Sequence, residues 1–314
     1  AFCKIICDAD VLITNYRLKA LDKLKLDYET IRQLNPTLIY ALATGFGEKG
    51  AEAHKPGYDT VAYWSRSGIE TQVFPFEGWL GQWPYGSGDH PSGMALFAAI
   101  MTGLYQRQTT GEGCKVSTSL LANGAWSNAV MLQAQLAGAV FREKRPRDNA
   151  YNFTSLHYPT IDNRLIRLSI LNADKDWPRL CTALNRVDLT ADPRFVDQTA
   201  RIDNMPTLIR ELTDTFASQT AAHWADELTK ADIPHAVVSS YPDAASDQQK
   251  IDNDIVIPLE HPEFGPMATI NSPFEVAGAD KIPATVAPKL GEHSEHVLSA
   301  LGYSLDEIKQ LSGD

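Results

Sequence analysis

Short apolar runs and helix-spaced apolar positions alternate along the first fifty residues of the chain. Val11–Thr14 is an apolar run bounded by polar residues, which predicts a buried parallel strand. Residues 21–34 carry apolar side chains at helical spacing, and residues 38–43 form a second apolar run. A strand, a helix and a strand within about forty residues are typical of an α/β fold.

The pattern becomes less regular before a second helical region. A helix is expected to begin near Tyr58, whereas residues 72–93 are rich in Gly, Pro and Trp and show no period. A loop of this length in a compact domain is usually functional. Residues 92–106 then predict a strongly apolar helix, residues 115–119 a strand, and residues 120–141 a long buried helix.

The second half of the chain has a different texture. Residues 142–152 are charged and contain Pro, as in a linker. Further elements are predicted after it: strands at 164–169 and 236–239, and helices at 177–184, 205–216, 223–231 and 294–301. This pattern favours a large domain interrupted by a smaller α+β domain. The expected boundaries are 1–145 for the first part of the large domain, 146–268 for the small domain, and 269–314 for the return.

Composition narrows the functional class. The 314 residues are 44% hydrophobic and 21% charged, as in a soluble globular protein. The net charge of −11 argues against nucleic acid as a partner, although local cations can still bind a phosphorylated molecule. Neither a membrane span nor a signal peptide is evident, so a cytoplasmic protein without a membrane partner is expected. The chain starts inside a β-α unit, so an N-terminal piece is expected to be missing.

The four cysteines are too sparse for a disulfide framework. Cys3 and Cys7 can share one helix face, but no second pair or histidine follows at zinc spacing. We therefore expect small buried thiols and no metal site.

The segment from Gly86 to Gly93 carries the main chemical signal. Asp89 stands between glycines, immediately before a helix with Pro91 in its first turn. There the helix dipole favours an ionised carboxylate, for which the usual pKa is about 3.9. Glycine N–H groups nearby can stabilise an oxyanion, so Asp89 is a candidate carboxylate nucleophile. The alternative is that Asp89 only caps the helix.

Several segments of the chain carry short motifs in a fixed order, among them Ala9-Asp-Val-Leu-Ile-Thr-Asn-Tyr-Arg17 and Lys55-Pro-Gly-Tyr-Asp59. These two resemble the ADVLxxNFR segment and the R/K-P-G-Y-D motif of the class III CoA-transferases, the family of formyl-CoA:oxalate and carnitine CoA-transferases. Gly88-Asp89 falls where the family has its catalytic Gly-Asp pair. Further similar segments lie at residues 34–40, 44–47, 92–94, 110–117, 192–195 and 287–293. The resemblance spans residues 9–303.

This resemblance implies a fold, a reaction and an assembly. The expected fold is α/β, with a Rossmann-like large domain lacking its first unit, a smaller α+β domain, and an interlocked homodimer. Asp89 is expected to attack an acyl-CoA, form an aspartyl anhydride and then an aspartyl-CoA thioester, and pass CoA to a carboxylic acid. Coenzyme A is then a substrate, and no tightly bound cofactor is expected.

The resemblance also implies a CoA pocket. Asn15, Tyr16, Ala20 and Lys23 are expected to border it, and Lys55 is a further phosphate candidate. The alternatives are core packing for Tyr16 and a solvated helix face for Lys23.

Tyr58 separates two reactions of this fold. Acyl-CoA racemases of the same fold place a basic His where this chain has Tyr58, and a phenol of usual pKa about 10 is a poor base. His90 adjoins Asp89 but is not at the racemase position. We expect Tyr58 in the CoA pocket, and Gly88, His90 and Trp83 near the substrate or the oxyanion. Local packing is the alternative for Tyr58.

The loop of residues 79–85 is unusually aromatic. Its rings, Trp83 among them, are expected to line an acyl pocket for a bulky or apolar carboxylate, or else to anchor the loop. Two further alternatives remain. The chain can be an inactive subunit of a hetero-oligomer, or a doubly wound enzyme for another nucleotide; the latter is disfavoured because G-x-G-x-x-G is absent.

Overall fold

A computed structural model describes residues 1–73, 81 and 83–312. The chain divides into two compact units. Unit 1 comprises Ala1–Arg142 and Leu290–Asp314, and unit 2 comprises Glu143–Lys289. The sequence predicts a small domain from residue 146 to residue 268. Unit 2 begins a few residues earlier and ends about twenty residues later.

The strands of the described residues form three separate sheets. In chain order they are β1 (Val11–Thr14), β2 (Ile39–Thr44), β3 (Lys115–Ser119), β4 (His157–Pro159), β5 (Leu165–Leu168), β6 (His235–Val237), β7 (Val256–His261) and β8 (Gly265–Ile270). In unit 1, β1-β2-β3 is a parallel sheet with β2 in the centre. In unit 2, β4-β5-β6 and the β7-β8 hairpin are antiparallel. The mixed α/β character predicted from the sequence is confirmed.

Helices of the α type connect and cover these sheets. They are α1 (Phe2–Asp8), α2 (Leu18–Leu24), α3 (Tyr28–Leu34), α4 (Ile69–Val73), α5 (Asp89–Thr110), α6 (Leu120–Ser127), α7 (Ala129–Leu136), α8 (Ala173–Ala183), α9 (Asp188–Ala191), α10 (Gln198–Asp203), α11 (Met205–Phe216), α12 (Ala221–Lys230), α13 (Tyr241–Ala245), α14 (Gln248–Asp252), α15 (Ser294–Ala300) and α16 (Leu305–Ser312). A π-helix covers Asp59–Trp64, and 3₁₀ turns cover Arg147–Asn149 and Phe153–Ser155. Among the described residues, no helix combines the length and apolar character needed to cross a bilayer.

The parallel sheet of unit 1 has apolar side chains on both faces. Strand β2 is a continuous apolar run, and each residue from Ile39 to Leu42 is at most 1% exposed. On one face Ala41 packs with Leu96 and Ile100 of α5. On the other face Tyr40 and Leu42 join the cluster that includes residues of α1, α2 and α3. Because β1 and β2 are parallel, the loops after them leave the sheet at the same, carboxyl edge. In open α/β folds this edge is where ligands bind.

Unit 1 also includes the last helices of the described chain. The Lys4 ammonium of α1 donates a hydrogen bond to the Leu301 carbonyl at 3.1 Å and lies 4.3 Å from the centre of the Tyr303 ring. Two segments separated by nearly three hundred positions thus meet within one unit.

Unit 2 has its own core. Tyr158, Ile166 and Leu168 point from the β4-β5-β6 sheet into a cluster with residues of α8, α11 and α12. Tyr158 stacks on Phe216, and the Trp224 indole donates to the Phe216 carbonyl at 2.8 Å. The pattern of the sequence predicted α11 with its exact limits but not the β7-β8 hairpin or α16.

Two long predicted helices are broken. Residues 21–34 were expected to form one helix, but Lys25 adopts a left-handed conformation (φ 56°) and ends α2, and Asp27 then caps α3. Residues 120–141 were expected to form a long buried helix. Instead α6 and α7 meet at Asn128, and surrounding apolar side chains such as Trp126 and Val130 are more than 80% exposed.

The expectation of buried thiols is wrong for two cysteines. Cys3 and Cys7 are exposed on α1, whereas Cys181 is buried. Helix α1 packs against α3 through its Ile6 face, so the two cysteines lie on the remaining, open surface.

Candidate active site

A cavity of about 620 Å³ opens in unit 1 where β1 and β2 end and α5 begins. Five residues singled out in the sequence line it together: Asn15, Tyr16, Lys55, Tyr58 and Asp89. They come from three separate segments of the chain, so the fold brings them together. The wall is completed by Arg17, Leu18, Ala43, Thr44, Gly45, Ala53, Pro56, Gly57, Ser92, Gly93, Leu96 and Leu120.

Asp89 is the first residue of α5 and not its cap. The N-cap position is held by Gly88, and no side chain caps this helix end. The reading of Asp89 as a helix cap is therefore wrong. The turn is instead closed by the His90 N–H, which donates to the Gly86 carbonyl at 2.9 Å, and by the Ser92 hydroxyl, which donates to the Gly88 carbonyl at 2.8 Å. The Asp89 side chain is left exposed at the cavity.

Gly88 is held on two sides. Its N–H donates to the Asp59 carboxylate at 3.2 Å, and a Cβ added at this position would lie 2.8 Å from Cγ of Tyr63. Because that N–H already has an acceptor, the expectation that Gly88 supplies an oxyanion donor is corrected. Its role is to let the start of α5 approach Tyr63 closely.

The electrostatics of Asp89 differ from the sequence expectation. Burial by neighbouring atoms and then the negative charge of Asp59 raise the pKa of Asp89, while His90 acts in the opposite direction. The helix dipole, on which the expectation of an ionised Asp89 was based, is thus opposed by burial and by a second carboxylate. The effect of Asp59 on Asp89 could not be predicted from the neighbouring sequence, because Asp59 lies 30 positions earlier in the chain.

Lys55 reaches the cavity as part of a small charged cluster. Its ammonium pairs with Glu52 at 2.9 Å and lies 5.3 Å from the centre of the Phe46 ring. Glu52 also accepts from Arg66 at 2.7 Å, and the hydrogen bonds from Lys55 and Arg66 lower its pKa. The positive charge of Lys55 is therefore partly neutralised.

Two tyrosines expose their rings at the cavity. Tyr16 is 56% exposed and Tyr58 is 80% exposed, so the core-packing alternative is wrong for both. The Tyr58 carbonyl accepts the N–H groups of Val61 and Ala62 at the start of the π-helix, which fixes its backbone. Aromatic faces in this position can stack on a planar or apolar part of a ligand.

Arg17 is a cavity residue that sequence reasoning did not assign. It is exposed at the start of α2 and enters no ion pair with another described residue. Its planar guanidinium suits phosphate and carboxylate groups. Arg17 is the last residue of the motif at residues 9–17, so the sequence did point to it. Lys23, further along the chain, was predicted to bind the phosphate instead.

Five of the predicted site residues lie outside this lining: Ala20, Lys23, Trp83, Gly88 and His90. Lys23 is exposed in the last turn of α2, in line with its solvated alternative. Trp83 stacks on Trp64 with ring centres 4.0 Å apart, and its indole N–H lies 3.5 Å from Glu70. This arrangement favours the anchoring role over the acyl-pocket role. Trp79 lies outside the described residues.

The described residues hold no group of three or more His, Cys, Asp and Glu side chains arranged for a metal ion. The charged and aromatic groups that line the cavity are one carboxylate, two cations and two phenol rings, and Asn15, Thr44 and Ser92 add polar side chains. This set can bind an anionic ligand with an apolar or aromatic part and present it to a nucleophilic oxygen.

Comparison with known proteins gives consistent matches. The model of CoA-transferase family III matches residues 1–294. The cinnamoyl-CoA:phenyllactate CoA-transferase of Clostridium sporogenes is 30% identical over an alignment of 324 positions, which covers 99% of this chain and 76% of that protein. The (R)-2-hydroxy-4-methylpentanoate CoA-transferase of Clostridioides difficile is 28% identical, covering 98% of this chain and 77% of that protein.

Solved structures agree with the sequence matches. A CAIB/BAIF family protein from Brucella suis superposes with a TM-score of 0.82 at 25% identity, covering 96% of this chain and 77% of that one. Rv3272 from Mycobacterium tuberculosis gives a TM-score of 0.75 at 26% identity, covering 93% and 77%. The chain thus spans about three quarters of the proteins that it matches.

Proposed function

The chain belongs to CoA-transferase family III, and from this premise we propose that it moves CoA from an acyl-CoA donor to a carboxylic acid through covalent intermediates on Asp89. One observation carries the proposal. The Asp89 carboxylate opens into the same cavity as Asn15, Tyr16, Lys55 and Tyr58, the residues proposed for CoA binding.

In the proposed reaction, each bond that breaks is matched by a bond that forms. An oxygen of Asp89 attacks the thioester carbonyl, the C–S bond breaks, and CoA leaves as thiolate from a mixed anhydride. The thiolate attacks the aspartyl carbonyl and releases the donor's acid as a carboxylate, which leaves an aspartyl-CoA thioester. The acceptor carboxylate attacks this thioester and releases the thiolate again. Attack of the thiolate on the acceptor's acyl carbonyl forms the new acyl-CoA and regenerates Asp89.

The cavity residues divide into two roles. Arg17 and Lys55 supply positive charge for the phosphates of CoA or for a carboxylate, which partly offsets the chain's net charge of −11. Tyr16 and Tyr58 provide apolar faces for the rest of the ligand. Burial and the neighbouring Asp59 charge raise the pKa of Asp89, so its carboxylate is more basic than an ordinary aspartate while its side chain stays exposed to a ligand in the cavity.

Racemisation is the weaker candidate. It requires a base beside the α-carbon of the acyl group, and this cavity offers the Tyr58 phenol where a racemase of this fold has His. Among the described residues that line the cavity there is no His or Cys. An inactive subunit remains the second alternative, and the labelling experiment below distinguishes it.

We propose further that the large unit is Rossmann-like, that the protein is cytoplasmic, and that it forms an interlocked homodimer. Exposed apolar side chains on α5 to α7, among them Met101, Trp126, Val130 and Leu136, support a large protein interface. Light scattering coupled to size exclusion tests the dimer, since a monomer mass would contradict it.

The central experiment traps the covalent intermediate. The protein is incubated with hydroxylamine and, in turn, with cinnamoyl-CoA, succinyl-CoA or acetyl-CoA, the donors in the names of its relatives. Peptide mass spectrometry is expected to find a hydroxamate at Asp89. The matching acceptors, phenyllactate, glutarate and oxalate, then report specificity.

Asp89→Ala supplies the control. This variant is expected to lose transfer and labelling while its circular dichroism and melting temperature stay close to those of the wild type. Full transfer by Asp89→Ala, or no label in the wild type with any donor, would overturn the proposal.

A further inference from the structure

Asp59 is a buried carboxylate next to the proposed nucleophile. It opens the π-helix of residues 59–64 and is only 7% exposed. One of its oxygens accepts the N–H of Thr60 at 2.7 Å, and the other accepts the N–H of Gly88 at 3.2 Å. The second bond spans 29 positions of sequence and joins the π-helix to the first turn of α5.

The partner of that bond is the peptide just before Asp89. Gly88 also packs closely on Tyr63, with no room for a methyl group between them. Tyr63 is itself fixed, since it is 4% exposed and its hydroxyl donates to Ser127 at 2.7 Å. Two residues of the π-helix thus hold Gly88. The Asp59 carboxylate accepts the Gly88 N–H, and Tyr63 packs against Gly88.

We propose that Asp59 is a positioning residue for acyl transfer: its carboxylate holds the Gly88 N–H and so directs the Asp89 carboxylate into the cavity. This inference rests on the proposed function of Asp89. A nucleophile held within a fraction of an ångström keeps its reacting oxygen in attack geometry, whereas a displacement of about 1 Å can cost about 10²-fold in rate. Asp59 is not among the residues that line the cavity, and in this proposal it acts through Gly88.

The same placement has an electrostatic consequence. The Asp59 charge raises the pKa of Asp89, and His90 on the same helix opposes it. The other titratable or charged groups at this cavity are Tyr16, Arg17, Lys55 and Tyr58. Removal of the Asp59 charge alone therefore lowers the pKa of Asp89. Because the ionised form of Asp89 attacks, the acid limb of the rate profile moves to lower pH.

Two substitutions separate the hydrogen bond from the charge. Asp59→Asn keeps an oxygen that can accept the Gly88 N–H but removes the negative charge. Asp59→Ala removes both. Asp197→Asn is the matched control, because Asp197 also accepts a backbone N–H at a helix start, from Ala200 at 2.8 Å, but lies in unit 2.

The expected results differ for each variant. Asp59→Ala is expected to lower kcat about 10²-fold, with KM for acyl-CoA within about twofold of the wild type. Asp59→Asn is expected to retain kcat within about tenfold and to shift the acid limb to lower pH. Asp197→Asn is expected to match the wild type in both respects.

Hydroxylamine labelling of Asp89 in the wild type tests the proposed function separately. A labelled wild type together with Asp59→Ala that keeps the wild-type kcat and labelling rate would overturn the positioning role alone. An unlabelled wild type would overturn the function and this inference with it. If Asp59→Ala does not fold, Gly88→Ala replaces it, because its added methyl displaces the same turn relative to Asp59, and a wild-type kcat in that variant overturns the positioning role.

Discussion

Addition of one methyl group at Gly88 should separate catalysis from folding. In Gly88→Ala the new Cβ would lie 2.8 Å from Cγ, 2.9 Å from Cδ1 and 3.0 Å from Cβ of Tyr63. Carbon atoms in van der Waals contact are about 3.5–4.0 Å apart, so the first turn of α5 must move by roughly 0.7 Å. Tyr63 cannot yield easily, because it is buried and bonded to Ser127.

The magnitude follows from this displacement. Overpacking of this kind costs about 1–3 kcal/mol of folding free energy, a small fraction of a domain's stability. The same movement displaces the Gly88 N–H from its present position 3.2 Å from the Asp59 carboxylate and carries Asp89 with it. A misplacement approaching 1 Å predicts a loss in kcat of about 10²-fold. Activity is therefore expected to fall far more than stability.

The assay measures kcat with the best donor and acceptor of the panel, and the free energy of unfolding by urea titration. Gly103→Ala is the matched control, with an added methyl on the buried side of the same helix, 3.1 Å from Cys114 and 3.2 Å from Ile39. It lies about 22 Å further along α5, at 1.5 Å per residue. It is expected to keep kcat within about twofold. Equal losses of kcat in both variants, or wild-type kcat in Gly88→Ala, would refute the reasoning.

Two other substitutions test the ligand site and the fold. Arg17→Ala is expected to raise KM for acyl-CoA about tenfold with little change in kcat, because a charge-assisted bond contributes about 1.5–3 kcal/mol. Steady-state kinetics measure both constants. An equal effect from Arg32→Ala on α3 would contradict a specific role of Arg17. Asn35→Ala is expected to reduce the free energy of unfolding by about 1–3 kcal/mol. Its amide donates to the carbonyls of Ile6 and Ala9 at 3.0 and 2.9 Å, so unchanged urea denaturation would show that these bonds contribute nothing.

Regular periodicity made much of the fold predictable. Strands β1 and β3 and helix α11 were predicted at their observed limits, because each is a local pattern with clear ends. The break at Lys25 was missed, since a non-glycine residue in a left-handed conformation leaves no compositional mark. Asp27 followed by Thr30 was a capping signal that could have revealed it.

The candidate site was only partly predictable. The resemblance of ordered motifs directed attention to Asn15, Lys55 and Asp89, and the cavity brings these residues together. The contact of Asp59 with Gly88 depends on two turns meeting in space, which a reading along the chain does not show. The sequence also predicted a buried helix over residues 120–141, whereas α6 and α7 expose apolar side chains. Apolar composition alone does not distinguish a core helix from a helix with an exposed apolar surface.

The bond between Lys4 and Leu301 has a consequence for how the protein is made. A ribosome delivers the chain from its N-terminal side, and compact units fold as they emerge. Unit 2 is contiguous and can fold as soon as residue 289 has left the ribosome. The contact of α1 with Leu301 in unit 1 can form only after α15 and Leu301 have been synthesised. Folding of the inserted 147 residues compacts the loop that this contact closes, so the entropic cost of closing it falls.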